Sequence, residues 1–424
     1  MTESVEPLVT AQDVERAAEL LTGVIRDLPL AGARWLEQRV GGPVQLVTEN
    51  LQRAGSFKIR GAYNRIAGLT PEERARGVVA ASAGNHAQGV AVAAQLLGVT
   101  ATVFMPEGAT IPKVQATLGY GADVRFFGNS IDQALEAAQE FARETGAVLI
   151  HPFDHVDVVA GQGTLGLEIV DKMPGVRTVV VCTGGGGLLA GVALAVKSVD
   201  PTIRVVGVQA EGAAAYPPSL AGGAPVRLES MATMAAGIAV GRPGDVTFAL
   251  VREYVDEVRT VTEDEISRAV LLLLERAKLV VEPAGAAAAA AVLARPHDFE
   301  PPVAVVISGG NVDPLVLLRI IRHGLAAAGR YLTLVVRMPD SPGSLARLLN
   351  DIQALHANVV DIEHNRVDSG LQVDEVDIVV HVETRGREHC DSLLTALASA
   401  GYRTISHGFT GADDGAAGAD RQGE

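Results

Sequence analysis

From Val44 to about Ile307, short β-branched runs alternate with amphipathic stretches. In order, GVVAAS, GNHAQGVAVAAQLLG, TATVFMP, KVQATLGYGA, DVRFF, SIDQALEAAQEFARETG and AVLIHPF read as strand and helix in turn. The runs VVAA, RTVVVC, IRVVGV and PVAVVI are apolar at successive positions, as strands must be when helices cover both faces of a parallel sheet. Helix boundaries agree: Ser130 precedes Asp132 and the apolar face of 131–143, and Gly146 closes it. The pattern predicts an α/β fold.

The rhythm changes near His323, where HGLAAAGR precedes a new set of alternations, and a domain boundary is expected there. The remainder reads as strand 331–337, helix 343–355, strand 358–367, strand 372–383, helix 387–399 and strand 402–406. This βαββαβ order is that of a ferredoxin-like unit. The tail GADDGAAGADRQGE has no apolar period, so residues 409–424 are expected to be disordered.

With 424 residues, two or three compact units are the starting expectation. Hydrophobic residues make up 48% but aromatics only 4%, so the cores must be built from aliphatic side chains. A net charge of −15 without any basic block offers no surface for nucleic acid or anionic lipid, which leaves small-molecule chemistry. Cys182 and Cys390 lie too far apart in sequence for a disulfide framework or a zinc knuckle, and a reducing cytoplasm fits them. The N-terminus lacks the basic start and apolar run of an export signal. The long uncharged run Thr178 to Val196 carries four consecutive glycines, so it reads as strand, loop and helix rather than as a membrane span.

Five stretches carry candidate chemistry. In Ser56-Phe57-Lys58-Ile59-Arg60-Gly61-Ala62, Lys58 is one of only five lysines among 35 basic residues. An amine that can lose its proton is a role arginine cannot fill; a solvated surface lysine fits these residues equally. Ser82-Ala83-Gly84-Asn85-His86 follows a strand and opens a helix, where free amides and the helix dipole attract an anion; a plain N-cap is the alternative. Gly184-Gly185-Gly186-Gly187-Leu188 joins strand to helix and can wrap a phosphate, although it lacks the GxGxxG and GKS/GKT spacings of nucleotide sites. Glu282-Pro283-Ala284-Gly285-Ala286 and Ser308-Gly309-Gly310-Asn311 are each expected at a strand end, and ligand sites in such sheets collect at those ends.

Taken in order, SFKIRGA, SAGNHAQG, GGGGL, EPAGA and SGGN resemble the fold-type-II pyridoxal-phosphate enzymes, specifically the threonine ammonia-lyases (threonine dehydratases) with the related serine dehydratases and racemases. The resemblance runs from about residue 10 to 325, and Asp340-Ser341-Pro342-Gly343-Ser344-Leu345 looks like part of the ACT regulatory domain of single-ACT members. It implies two open twisted α/β subdomains within 1–325, the smaller at roughly 50–155, followed by an ACT domain at 330–408. It also implies that Lys58 holds pyridoxal 5′-phosphate as an internal Schiff base beside Phe57. Gly184, Gly185, Gly186, Gly187 and Leu188 would cradle the phosphate, Asn85 would donate to the ring O3′ with Glu282 nearby, and Ser308 would bond the pyridine nitrogen. Ser82, Ala83, Gly84, Asn85 and His86 would surround the substrate carboxylate, and Lys58, Ser82 and Glu282 form the expected catalytic set.

The implied reaction is β-elimination from L-threonine to give 2-oxobutanoate and ammonia, and from L-serine to give pyruvate. The freed Lys58 amine would take the Cα proton, and the cofactor phosphate is the candidate acid for the departing hydroxide. A neutral Ser308 at the ring nitrogen favours elimination over transamination. A branched-chain amino acid or related effector would act through the ACT domain, and the oligomer would be a homodimer or homotetramer. Other readings are a serine ammonia-lyase or serine racemase, or an inactive amino-acid sensor on the same scaffold. The chain departs from the family pattern at Val47, Thr48, Cys182, which stands for a proline, and Ala236, which stands for an aspartate. Only Glu211 lies where some relatives gather carboxylates around a cation, so no metal is expected.

Overall fold

The apolar runs form parallel strands. In the computed structural model, which describes residues 9–366 and 371–407, the larger sheet has the spatial order Ala31–Gly32, Val44–Val47, Val303–Val306, Thr178–Cys182, Arg204–Ala210, Glu257–Val261. All its neighbours are parallel except the first pair. Val303–Val306 and Thr178–Cys182 are buried at every position, which the two-sided apolar sequence requires. The smaller sheet, which is parallel throughout, has the order Asp123–Phe126, Ala101–Met105, Val78–Ala81, Val148–Leu149.

Each sheet reverses its winding once. From Thr178–Cys182 the chain builds outward through two strands and then returns to place Val303–Val306 on the other side; from Val78–Ala81 it does the same before placing Val148–Leu149. Loops diverge at such points and leave a crevice at the carboxyl ends of the strands. The glycine run and Ser308 flank the first crevice, and Ser82 opens onto the second.

Helices hold these ends in place. Helix Pro283–Ala294 is buried along almost its whole length, and its run of alanines lets it lie close within the larger layer. Helices Val156–Lys172 and Gly187–Val199 touch backbone to backbone: a Cβ at Gly191 would fall 2.4 Å from the Val159 carbonyl. Helix Lys58–Ala67 is anchored through Arg60, which is fully buried. The Arg60 guanidinium donates twice to Glu49 at 2.8 Å, to Glu168 at 2.6 Å and to Thr164 Oγ1 at 3.0 Å.

One expectation is corrected. Glu282 does not end a strand; a π-helical turn, Leu273–Ala277, precedes an irregular segment, and Glu282 is the N-cap of Pro283–Ala294. The backbone of this segment is satisfied by a turn instead of a ladder, with Glu282 N donating to Gly309 O and Asn50 Nδ2 to Val280 O.

Packing divides the chain into residues 1–317 and 318–424, with helix Pro314–Ala327 spanning the division. The second unit is a βαββαβ sheet of antiparallel strands ordered Asn358–Asn365, Glu375–Glu383, Tyr331–Pro339, Arg403–His407. Leu332, Leu334, Val336 and Met338 alternate into its core against Val376, Ile378, Val380 and Val382, under helices Ser344–Ala354 and Arg387–Ser399. The third strand starts at Glu375, later than expected, because Glu375 N closes a turn onto Gln372 O. The tail at 409–424 lies outside the described residues.

Candidate active site

Lys58 is the first residue of its helix, just after the crossing from the larger sheet through two short 3-10 turns. Its Nζ donates to Pro152 O at 2.8 Å and lies 5.1 Å from the centre of the Phe57 ring. A carbonyl rather than a carboxylate receives the amine, so nothing holds the charge firmly. Burial pushes the ammonium down to about 8 in spite of the opposing influence of Cys182 and Glu282. Helix Asn85–Leu97 packs tightly beside it, since a Cβ at Gly89 would fall 2.9 Å from Lys58 Cβ.

Two anion receptors flank this amine. The amides of Gly184, Gly185, Gly186, Gly187 and Leu188 find no acceptor among the described residues, and all but half-buried Gly184 are buried. Buried donors left without partners at a helix N-terminus call for an anionic ligand. At the smaller sheet's crevice, Asn85, His86 and Ala87 open helix Asn85–Leu97 with amides that are likewise without acceptors among the described residues. Ser82 Oγ accepts from Gly84 N at 3.1 Å and tightens the turn. A Cβ at Gly84 would meet open space.

The glycine run is set in place by residues that the sequence does not flag. The Gly185 carbonyl accepts from Thr247 Oγ1 at 2.6 Å, from Tyr216 Oη at 3.3 Å and from Gly244 N at 3.3 Å. Because a trans peptide points its C=O and N–H in opposite directions, fixing this carbonyl turns the Gly186 amide away from the clamp. Gly186 has φ +102°, and a Cβ there would lie 1.9 Å from Tyr216 Oη. The Asp154 carboxylate in turn caps helix Asp245–Tyr254, accepting from Asp245 N and Val246 N at 2.9 Å and from Thr247 N at 3.2 Å. Phe153 packs on the run itself, since a Cβ at Gly185 would fall 2.4 Å from its ring. His151 Nδ1, accepting from Asp154 N at 2.7 Å, shapes the same turn as a neutral ring.

Between the receptors lies a chain of polar contacts. Asn85 Nδ2 donates to Glu282 Oε1, and Asn311 Nδ2 donates to Asn85 Oδ1 at 2.8 Å. Burial raises the Glu282 carboxyl against the lowering effect of Asn85. Ser308 Oγ accepts from Cys182 Sγ at 3.1 Å, and both residues are buried. The structure therefore brings Lys58, Phe57, Ser82, Asn85, Glu282, Ser308 and the glycine run to adjoining loops. His86 differs from expectation in one respect: its Nε2 donates to Ile150 O at 2.8 Å and burial holds the imidazole down to about 3. Its one ring proton is thereby taken, which leaves the backbone amide as its donor to a ligand.

The fold and site together define an α/β protein with two mainly parallel sheets, in which one buried amine lies near two clusters of amides without acceptors among the described residues. The family model described as pyridoxal-phosphate dependent enzyme matches residues 21–309, and that of the ACT domain matches 332–398. An L-threonine ammonia-lyase of Thermotoga maritima is 47% identical over 395 residues, covering 93% of this chain and 98% of its own. A solved structure of the processed form of threonine deaminase isoform 2 from Solanum lycopersicum shares 35% identity with a TM-score of 0.70 over 74% of this chain and 95% of its own. A maize serine racemase structure shares 34% with a TM-score of 0.71 over 74% and 96%. The chain belongs to the pyridoxal-phosphate dependent enzymes, in the threonine ammonia-lyase family with a single ACT domain, and its cofactor is pyridoxal phosphate.

The residues present fit that cofactor: an amine for the aldehyde, buried unpartnered amides for the phosphate, and a buried hydroxyl at Ser308 on the neighbouring strand's loop. Among the described residues no group of three or more His, Cys, Asp or Glu is arranged to hold a metal ion, and no helix is long and apolar enough to cross a membrane.

Proposed function

We propose that this enzyme deaminates L-threonine to 2-oxobutanoate and ammonia, and L-serine to pyruvate, with Lys58 as the residue that binds the cofactor and moves the proton. The observation that carries the reading is the Lys58 amine, depressed to about 8 and hydrogen-bonded to a neutral carbonyl, opposite buried amides that lack acceptors. Pyridoxal phosphate, when bound, supplies an aldehyde that joins an amine and a ring that withdraws electrons from the joined amino acid's Cα.

The protein's own contributions follow from position and charge. Gly184 through Leu188 hold the phosphate with amides that stand ready without reorganisation. Asn85 and its neighbours at the N-terminus of Asn85–Leu97 hold the substrate carboxylate, with Ser82 shaping the turn. Phe57 would pack beside the cofactor, and Lys58, whose proton leaves near pH 8, would be the base that accepts the Cα proton. Asn85, held by Glu282, would offer its side-chain amide to the ring hydroxyl, while Ser308 would offer an uncharged partner to the ring nitrogen. An uncharged partner leaves that nitrogen without a fixed proton, which favours elimination of the β-hydroxyl.

Asp340 to Leu345 form the turn and helix start at which the ACT unit takes an amino-acid effector, a branched-chain amino acid being the expected chemistry. Asp340 is held there by Arg366 at 2.8 Å. The enzyme works in the cytoplasm as a homodimer or homotetramer. Likeness to a serine racemase keeps a second reading in view. One methyl group discriminates by only about 1–3 kcal/mol. Measuring kcat/KM for L-threonine, L-serine and D-serine tests the assignment: 2-oxobutanoate from L-threonine as the preferred product supports it, and D-serine formation outpacing it overturns it.

A further inference from the structure

At the carboxyl ends of the neighbouring strands Thr178–Cys182 and Val303–Val306, the last residue of one meets the loop after the other: Cys182 Sγ donates to Ser308 Oγ at 3.1 Å. Both are more than nine-tenths buried, at 5% and 3% exposure. Burial pushes the Cys182 thiol up to about 11, so it keeps its hydrogen at neutral pH and can donate it. A serine hydroxyl has one proton and two lone pairs. With one lone pair taken by the thiol, its own proton must go elsewhere. Among the described residues that proton has no acceptor, and a buried donor without a protein partner points to a ligand atom that accepts.

We propose that Cys182 is a positioning residue that biases the direction of the Ser308 proton, so that Ser308 donates to the ring nitrogen of the cofactor. This rests on the reading of Ser308 given above and deepens it. If Ser308 were free to turn, it could present a lone pair to a protonated nitrogen, and a protonated ring draws more charge from Cα. The thiol disfavours that option: it already takes one of the oxygen's two lone pairs and leaves the hydroxyl proton as the group still without a partner among the described residues. Cys182 is thereby a device for keeping the ring neutral.

The test uses the full-length enzyme loaded with pyridoxal phosphate labelled with 15N in the ring, and reads the ring-nitrogen chemical shift by NMR in the resting state across pH. Cys182→Val removes the donor at similar volume, and Cys182→Ser keeps a donor at the same place. Cys182→Val is expected to move the nitrogen resonance by a large part of the change produced by Ser308→Ala, and Cys182→Ser to stay close to the parent. The fraction of turnovers ending in half-transamination should rise several-fold in Cys182→Val only. Melting curves identify any variant that fails to fold, and Cys182→Ala then replaces it. If Ser308→Ala moves the resonance but neither Cys182→Val nor Cys182→Ala does, the proposal is overturned while the role of Ser308 stands. If Ser308→Ala itself leaves the resonance unmoved, the reading of Ser308 falls, and the proposal with it.

Discussion

Lys58 owes its reactivity to what surrounds it: a carbonyl acceptor, an aromatic neighbour and a buried setting. A lysine whose proton leaves near pH 8 captures an aldehyde only in the neutral form. The rate at which apoprotein takes up pyridoxal phosphate should therefore rise about tenfold per pH unit well below 8 and level off above it. Stopped-flow absorbance checks this, and Lys58→Ala should show no covalent visible band at any pH. Thr247 makes the shortest bond to the Gly185 carbonyl. Thr247→Val should weaken cofactor affinity by about tenfold, the equivalent of a hydrogen bond worth about 1–1.5 kcal/mol, while Thr247→Ser restores it. Equilibrium dialysis of the cofactor gives the number, and an unchanged dissociation constant would show that the clamp does not matter. Sequence alone pointed to the glycine run, Lys58 and Ser308 because unusual residue types at a chain reversal announce themselves. Thr247, Tyr216 and Asp154 are ordinary residues 31 to 62 positions from Gly185; only the fold brings them to it.

At the scale of elements, helix Lys58–Ala67 is held by the buried Arg60 and its two carboxylates, a contact that stands two residues from the reactive amine. Removing one member leaves an uncompensated charge inside the protein. Arg60→Met is expected to destabilise the fold by about 3–5 kcal/mol, since Glu49 is buried almost completely. Chemical denaturation of the apoprotein measures it, and a loss below 1 kcal/mol would show that Glu49 relaxes to water or takes up a proton. The two-sided apolar runs made the parallel strands legible, and Ser130 and Gly146 marked helix ends that the structure places at Ile131–Thr145. Residues 279–282 misled because LVVE carries strand-like composition, yet it joins neither sheet. The turn at Gly309 takes its backbone instead.

Over the whole molecule, the catalytic chemistry lies in residues 1–317 and the effector-binding expectation in 318–424. Removing residues 330–424 should leave deamination measurable and abolish its response to branched-chain amino acids; a truncated enzyme that still responds would place the effector site elsewhere. The change of periodicity near His323 made the second unit visible in the sequence, because a fresh set of two-residue alternations cannot continue a parallel α/β layer. The segment His151 to Asp154 engages three things at once: the amine through Pro152, the glycine run through Phe153 and a helix of the larger layer through Asp154. Its length is thereby set to the residue. A single inserted amino acid between Pro152 and Asp154 would force the chain to give up one of these engagements, so the loop should tolerate exchange of side chains far better than any change in spacing.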